Sequence, residues 1–244
     1  ENPTLGRRHS DNWTNEELQS AAHIANLFTM INEFLYPRFL RARIEEALTD
    51  SPVVLVHGPR QCGKTTLARM VGDDAGFTYF SFDDDNQRAA AKADPVGYVA
   101  DLPERAVLDE VQRVPELFTS LKAAVDGRRQ PGRFILTGSA NVLRVPRLAD
   151  SLAGRMDILR LHPLAQAELE QAPSDFLGRL FAASFKAGKS GHRLGIALAE
   201  RMAAGGFPAA LARPHPNRRA AWYRTYGDTL IQRDIRDLAR ISAL

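Results

Sequence analysis

The stretch that most constrains this chain runs from Pro52 to Thr66, PVVLVHGPRQCGKTT. Its first part is a short, β-branched apolar run, too compact for an amphipathic helix, and reads as a buried strand. That strand opens directly onto Gly58, Pro59, Arg60, Gln61, Cys62, Gly63, Lys64, Thr65 and Thr66, which fit G-x-x-x-x-G-K-[ST] between a strand and a helix. Glycines let such a loop curl until several backbone N–H groups point inward. The following helix adds its positive end, making a nest for β- and γ-phosphates. Lys64 brings a mobile positive charge to the phosphates, and the Thr65 hydroxyl is an oxygen ligand suited to Mg2+.

Four more strand-like runs follow, at 77–82, 106–109, 134–139 and 157–162, with helix-like segments between them. Strands alternating with helices predict right-handed crossovers and a parallel sheet covered on both faces. From Leu164 onward strand signals vanish, and GGFP (Gly205 to Pro208) interrupts the chain before a last helical stretch. At the other end TNEE, from Thr14 to Glu17, reads as a capping box before apolar residues at helical spacing up to Leu35. The first methionine, Met30, lies inside that pattern. The expected domains are an N-terminal helical extension over 1–35, a phosphate-loop domain over 36–163 and a mainly helical segment over 164–244.

Forty-five residues after Lys64 a strand ends in Asp109 and Glu110. Side by side, the two suit phosphoryl chemistry: Asp109 to hold Mg2+, directly or through water, and Glu110 to polarise an attacking water. The next strand ends in LTGSAN, offering Thr137, Ser139 and Asn141 at a strand's carboxyl end, where ligands gather in open α/β sheets. Ser139 is the first choice for sensing the γ-phosphate. Arg155, at a glycine-marked break before the fifth strand, is the candidate arginine finger. Arg60 inside the loop is the alternative phosphate neighbour. Cys62 is either a small tolerated residue or, tuned by the helix N-terminus, an oxidation switch. Asp83, Asp84 and Asp85 read as a helix cap with its acidic first turn. A second GKS at 188–190 lacks the glycine five positions earlier, where Ala183 stands, and reads as a loop.

Composition narrows the classes. Six histidines never fall at zinc-ligand spacing with each other or with the single cysteine, so no structural metal site is expected. No run approaches the roughly 18 apolar residues of a membrane span, and no secretory leader opens the chain, so a cytoplasmic location is expected. The net charge of +3 is too balanced to imply nucleic-acid coating, yet the last 32 residues carry seven Arg against three Asp. That end reads as a solvated helix face or as a face for DNA or a protein partner.

In this order, YPRFL, GPRQCGKTT, YFSFDDD, VLDEVQRVPELF, ILTGSAN, SLAGR and GGFP closely resemble a prokaryotic AAA-type ATPase family (AAA_14). Its members join the ATPase domain to a C-terminal domain called DUF4143. The resemblance covers Met30 to the C-terminus. It implies a five-stranded parallel P-loop sheet of order 5-1-4-3-2, with LTGS inserted between the P-loop strand and the Asp109 strand. It implies ATP and Mg2+, with ATPase roles for Lys64, Thr65, Asp109 and Glu110, and, if a homo-oligomer forms, an arginine acting across its interface. The leading 29 residues match nothing in the family, and the chain stops 36 residues after Pro208, so a truncated second domain is expected.

Three functions compete at this level. The first is a Mg2+-dependent ATPase whose turnover moves a C-terminal region or a partner. The second is a nucleotide-gated DNA- or protein-binding switch with little turnover, and the third is the ATPase part of a DNA-processing enzyme. A GTPase is disfavoured because no [NT]KxD motif follows the fourth strand. A small-molecule kinase is weaker too, because kinases often lack a Glu110-type water activator.

Overall fold

Two apolar faces on each central strand, rather than one, decide the architecture. The computed structural model describes residues 36–139, 142, 152–172, 176–184 and 195–241, with side chains as far as residue 232. The chain divides into two units, Glu1–Pro37 and Arg38–Leu244, and every element below belongs to the second. The N-terminal helix pattern, Asn141 and the second GKS lie outside the described residues.

Helix α1 (Leu40–Ala47) leads into strand β1 (Val53–Gly58), and helix α2 (Lys64–Asp74) follows the phosphate loop. Next come β2 (Thr78–Ser81), α3 (Asp85–Ala93), α4 (Pro95–Ala100) and β3 (Ala106–Asp109). A 3-10 turn (Val111–Arg113) then precedes α5 (Leu117–Gly127), β4 (Phe134–Ser139) and β5 (Met156–Arg160). The described helices beyond the sheet are α6 (Gln166–Leu169), α7 (Phe176–Phe181), α8 (Ile196–Ala204), α9 (Pro208–Leu211) and α10 (Pro216–Ile241). None of them is long and apolar enough to cross a membrane.

All strand pairings are parallel, in the order β2-β3-β4-β1-β5 that the family resemblance implies. The central strands β1, β3 and β4 start and end close to where their apolar runs do. The edge strands β2 and β5 are shorter than their expected runs, although a backbone hydrogen bond continues one residue beyond each, from Phe82 N to Asp109 O and from Leu161 N to His57 O.

Strand side chains alternate between faces. Val53, Leu55, Leu108, Phe134 and Leu136 therefore meet Ala91, Val99, Leu117, Phe118, Leu121 and Val125 of α3, α4 and α5. Val54, Val56, Val107, Ile135 and Leu159 face the other way, against Leu40 and Ile44 of α1 and Leu67, Ala68 and Val71 of α2. Each large side chain so buried contributes about 1.5–3 kcal/mol. The same alternation places the site: two residues beyond Val107 and Ile135, at the carboxyl ends of β3 and β4, Asp109 and Thr137 stand on the α2 face.

The chain after β5 turns back along this end of the sheet. Leu164 N–H donates to Gly206 O at 2.7 Å. A Cβ on Gly206 would lie 2.2 Å from Leu164 O, so only glycine permits this approach. Beside it Phe207 packs on Trp222, Tyr223 and Tyr226 of α10, with ring centroids 5.5, 6.2 and 5.1 Å away.

Candidate nucleotide site

Gly63 enters the loop-to-helix junction at φ 98°, a left-handed conformation that costs glycine little. As the N-cap it supplies no side-chain oxygen, so the first N–H groups of α2 are left to a ligand, with the positive end of the helix dipole behind them. Lys64 is only 4% exposed, and its Nζ donates to Pro59 O at 2.9 Å. Among the described residues no carboxylate pairs with it. A buried ammonium met only by a carbonyl is costly unless an anion joins it.

Asp109 is 3% exposed and is met by three hydroxyls from three elements. Thr65 Oγ1 donates to both carboxylate oxygens at 3.0 Å, Tyr79 Oη donates to Oδ2 at 2.9 Å, and Thr137 Oγ1 donates to Oδ1. Burial, reinforced by the Asp109 carboxylate, pushes the Tyr79 hydroxyl up to about 12. Thr65 and Asp109 thus offer the hard oxygen donors that Mg2+ prefers, next to a cationic nest for the phosphates that carry it. The residues present fit a Mg2+–nucleotide complex.

Glu110 turns away from Asp109. Its backbone is left-handed (φ 59°, ψ 43°), and its N–H donates to Thr137 Oγ1 at 3.1 Å. A non-glycine residue held there stores on the order of 1–3 kcal/mol, a cost that concentrates at functional sites. Its carboxylate accepts from Gln112 Nε2, while Gln112 Oε1 accepts the Ser139 N–H at 3.4 Å. Thr137 therefore joins Asp109 to Glu110, and Gln112 joins Glu110 to Ser139.

The structure brings Gly58 to Thr66, Asp109, Glu110, Thr137 and Ser139 to one end of the sheet, but it does not bring Arg155 there. Arg155 precedes β5, whose Met156 pairs in register with Val53 at the amino end of β1. The loop begins at Gly58, about 17 Å of strand away at the usual rise per residue. Arg155 is also engaged, its Nε and Nη2 donating to the two Asp126 oxygens at 2.5 and 3.0 Å. Within one chain it makes no finger, because the pairing that closes the sheet fixes it at the far end. Cys62 is fully buried, its Sγ 3.7 Å from Leu161 O, and burial pushes its thiol up, so the oxidation switch has neither access nor thiolate. The aspartate run is structural: Asp84 caps α3 through Asn86 and Gln87 N–H, Asp85 pairs with Arg88, and Asp83 pairs with Arg113.

Sequence reasoning missed the loop's outer supports. Arg38, in YPRFL, donates from Nη1 to Cys62 O at 2.8 Å and from Nη2 to His162 O at 2.5 Å, and pairs through Nε with Glu168 at 3.3 Å. Both side chains of that pair are more than nine-tenths buried. Glu168 also accepts the N–H groups of Phe39 and Ala165, each at 2.8 Å. From the other side Tyr226 Oη donates to Arg60 O at 3.1 Å. Tyr79 and Gln112 were missed as well. Tyr79 sits on an apolar strand, where a tyrosine carries no mark of a polar task.

This fold and this loop define a P-loop domain of the α/β class. Residues 50–170 match the family model described as an AAA domain, AAA_14. Residues 196–244 match a different module from the DUF4143 expected, namely DUF8612, a domain of unknown function. The uncharacterized proteins Rv2008c of Mycobacterium tuberculosis and Mb2031c of Mycobacterium bovis are each 34% identical over 198 residues, 81% of this chain and 39% of theirs. The chain thus spans about two fifths of the length of these relatives. Among solved structures, the Walker-type ATPase PABY2304 of Pyrococcus abyssi matches with TM-score 0.48 and 17% identity, over 84% of this chain and 76% of that one. AMPPCP-bound DnaA from Aquifex aeolicus matches with TM-score 0.41 and 17% identity, over 65% and 56%.

Proposed function

We propose that this chain binds ATP with Mg2+ at the 58–66 loop, hydrolyses it, and passes the change of nucleotide state to its C-terminal segment or a partner. The observation that carries the reading is the buried Lys64 ammonium beside the Thr65–Asp109 oxygen pair. On this reading the loop N–H groups and Lys64 take the β- and γ-phosphates, and Thr65 and Asp109 hold Mg2+. Bound there, Mg2+ neutralises charge on the phosphate oxygens. Glu110 accepts the proton of the attacking water, an effect worth about 10²- to 10⁴-fold. Gln112 fixes the direction of that carboxylate, and the Ser139 N–H holds Gln112.

Coupling to the C-terminal segment is supported by the Tyr226–Arg60 bond, which ties α10 to the phosphate loop. A DNA or protein contact through the exposed Arg218 and Arg224 of α10 belongs to the same proposal. So does an oligomer: an arginine finger, on this geometry, comes from a second copy.

A slow-turnover switch is the second reading, favoured by the Gln112–Glu110 bond, which occupies the carboxylate that would meet water. Titration with a fluorescent ATP analogue, alongside phosphate release by wild type and Glu110→Gln, separates the two. The ATPase reading expects comparable nucleotide affinity in both proteins and release slowed at least a hundredfold in the variant. Tight binding with equally negligible release in both assigns the switch. No binding by the wild type overturns both readings.

A further inference from the structure

Asp109 is held more firmly than a lone strand-end carboxylate needs to be. Thr137 approaches Oδ1 from β4, Tyr79 approaches Oδ2 at 2.9 Å from β2, and Thr65 faces both oxygens from α2. The two strands flanking β3 thus each pin one oxygen. Tyr79 reaches its oxygen because it pairs in register with Val107, so Asp109 lies at the diagonal position two residues on, on the same face. Diagonal neighbours stand roughly 7–8 Å apart, within reach of an aromatic side chain and beyond that of a short one.

We infer that Tyr79 is a positioning residue for metal binding: its hydroxyl locks the plane of the Asp109 carboxylate so that the Thr65–Asp109 pair presents a fixed oxygen set to Mg2+. The inference rests on the Mg2+–nucleotide reading above and adds a residue to it. With Oδ1 and Oδ2 both held, the carboxylate cannot rotate about its last torsion. Thr65 keeps its proton on Asp109 and has lone pairs left for the cation. Removing the Tyr79 hydroxyl leaves Oδ2 to the shared Thr65 proton alone and leaves the phosphate nest untouched. Groups that orient a metal ligand from behind typically carry 10- to 100-fold in metal affinity.

Tyr79→Phe tests this cleanly, because the ring keeps its place under the Arg69 guanidinium, whose carbon lies 4.9 Å from the ring centroid. Two readouts are needed: affinity for a fluorescent ATP analogue in EDTA, and the Mg2+ concentration that half-maximally tightens that binding. Mn2+ binding in the presence of ADP, followed by electron paramagnetic resonance, gives the second readout directly. Tyr98→Phe is the matched control, since Tyr98 donates to Gln87 at 2.7 Å, away from Asp109. The expected result for Tyr79→Phe is about a tenfold rise in half-saturating metal, with metal-free nucleotide affinity within twofold of wild type and Tyr98→Phe unchanged. Unchanged metal dependence overturns the inference, as does a parallel loss of metal-free affinity, which would mean that Tyr79 acts through the fold. If the wild type shows no metal-dependent tightening, the Mg2+ reading itself fails.

Discussion

At the carboxyl end of the sheet Lys64 and Asp109 are almost wholly buried, and each is met by uncharged groups, a carbonyl for one and three hydroxyls for the other. At the amino end Arg155 and Asp126 neutralise each other in a two-pronged pair near the surface, and Arg128 does the same with Glu104 in the open. Solvent and partner already satisfy the second set. The first set carries a desolvation cost that a bound anion and cation would recover, so the difference between the ends separates a prepared site from ordinary surface charge.

The comparison breaks first at Lys64. Lys64→Met should abolish the nucleotide-induced rise in melting temperature, an affinity loss of at least about a hundredfold. It should leave the ligand-free protein as stable or more stable, because it removes a buried cation. A variant that melts lower without nucleotide would make Lys64 a structural residue and erase the contrast. The next largest effect sharpens it. Arg38 and Glu168 are buried at the same end but paired, so Glu168→Ala should cost about 3–5 kcal/mol in urea unfolding by stranding the guanidinium.

At the amino end Arg155→Ala should barely move the unfolding midpoint and leave nucleotide affinity unchanged, checked by the same unfolding and binding curves. A large affinity loss would place Arg155 at a phosphate after all. The smallest effect is in pH. Burial, aided by Arg160, His162 and Lys64, lowers His57 from its ordinary value of 6.5, so the unfolded chain takes up a proton that the folded one refuses. Stability from this residue is therefore present above pH 6.5 and is lost as pH falls below it. Melting temperature should therefore fall between pH 7.5 and 5.5, and His57→Gln should flatten that slope.

Most of the fold was legible because its signals are local. The apolar runs of β1, β3 and β4 carry their own boundaries, and Gly-Lys-Thr after a strand needs no tertiary help to be read. Asp109 and Glu110 were legible for the same reason. Thr137 was one of three candidates on one short motif, and only the register of β3 on β4 shows that its hydroxyl lies beside Asp109. Arg155 was read correctly as preceding β5 but was given a phosphate role, although every strand of a parallel sheet starts at the end opposite the phosphate loop. Arg38, Glu168 and Tyr226 were invisible: Arg38 and Tyr226 reach the loop from 24 and 166 residues away, Glu168 holds Arg38 from 130, and nothing in their neighbourhoods announces it.

Those distant tethers have a consequence for the loop itself. A peptide unit is planar, with its C=O and N–H pointing in opposite directions. Once Tyr226 draws the Arg60 carbonyl to one side and Arg38 draws the Cys62 carbonyl to its own, the N–H groups of Gln61 and Gly63 are committed away from the tethers. The loop's dipoles are thereby aimed in advance, with little conformational entropy left to lose when an anion arrives, which is the condition for preorganised electrostatic binding. Two side chains that never touch the ligand would thus set how sharply it is received.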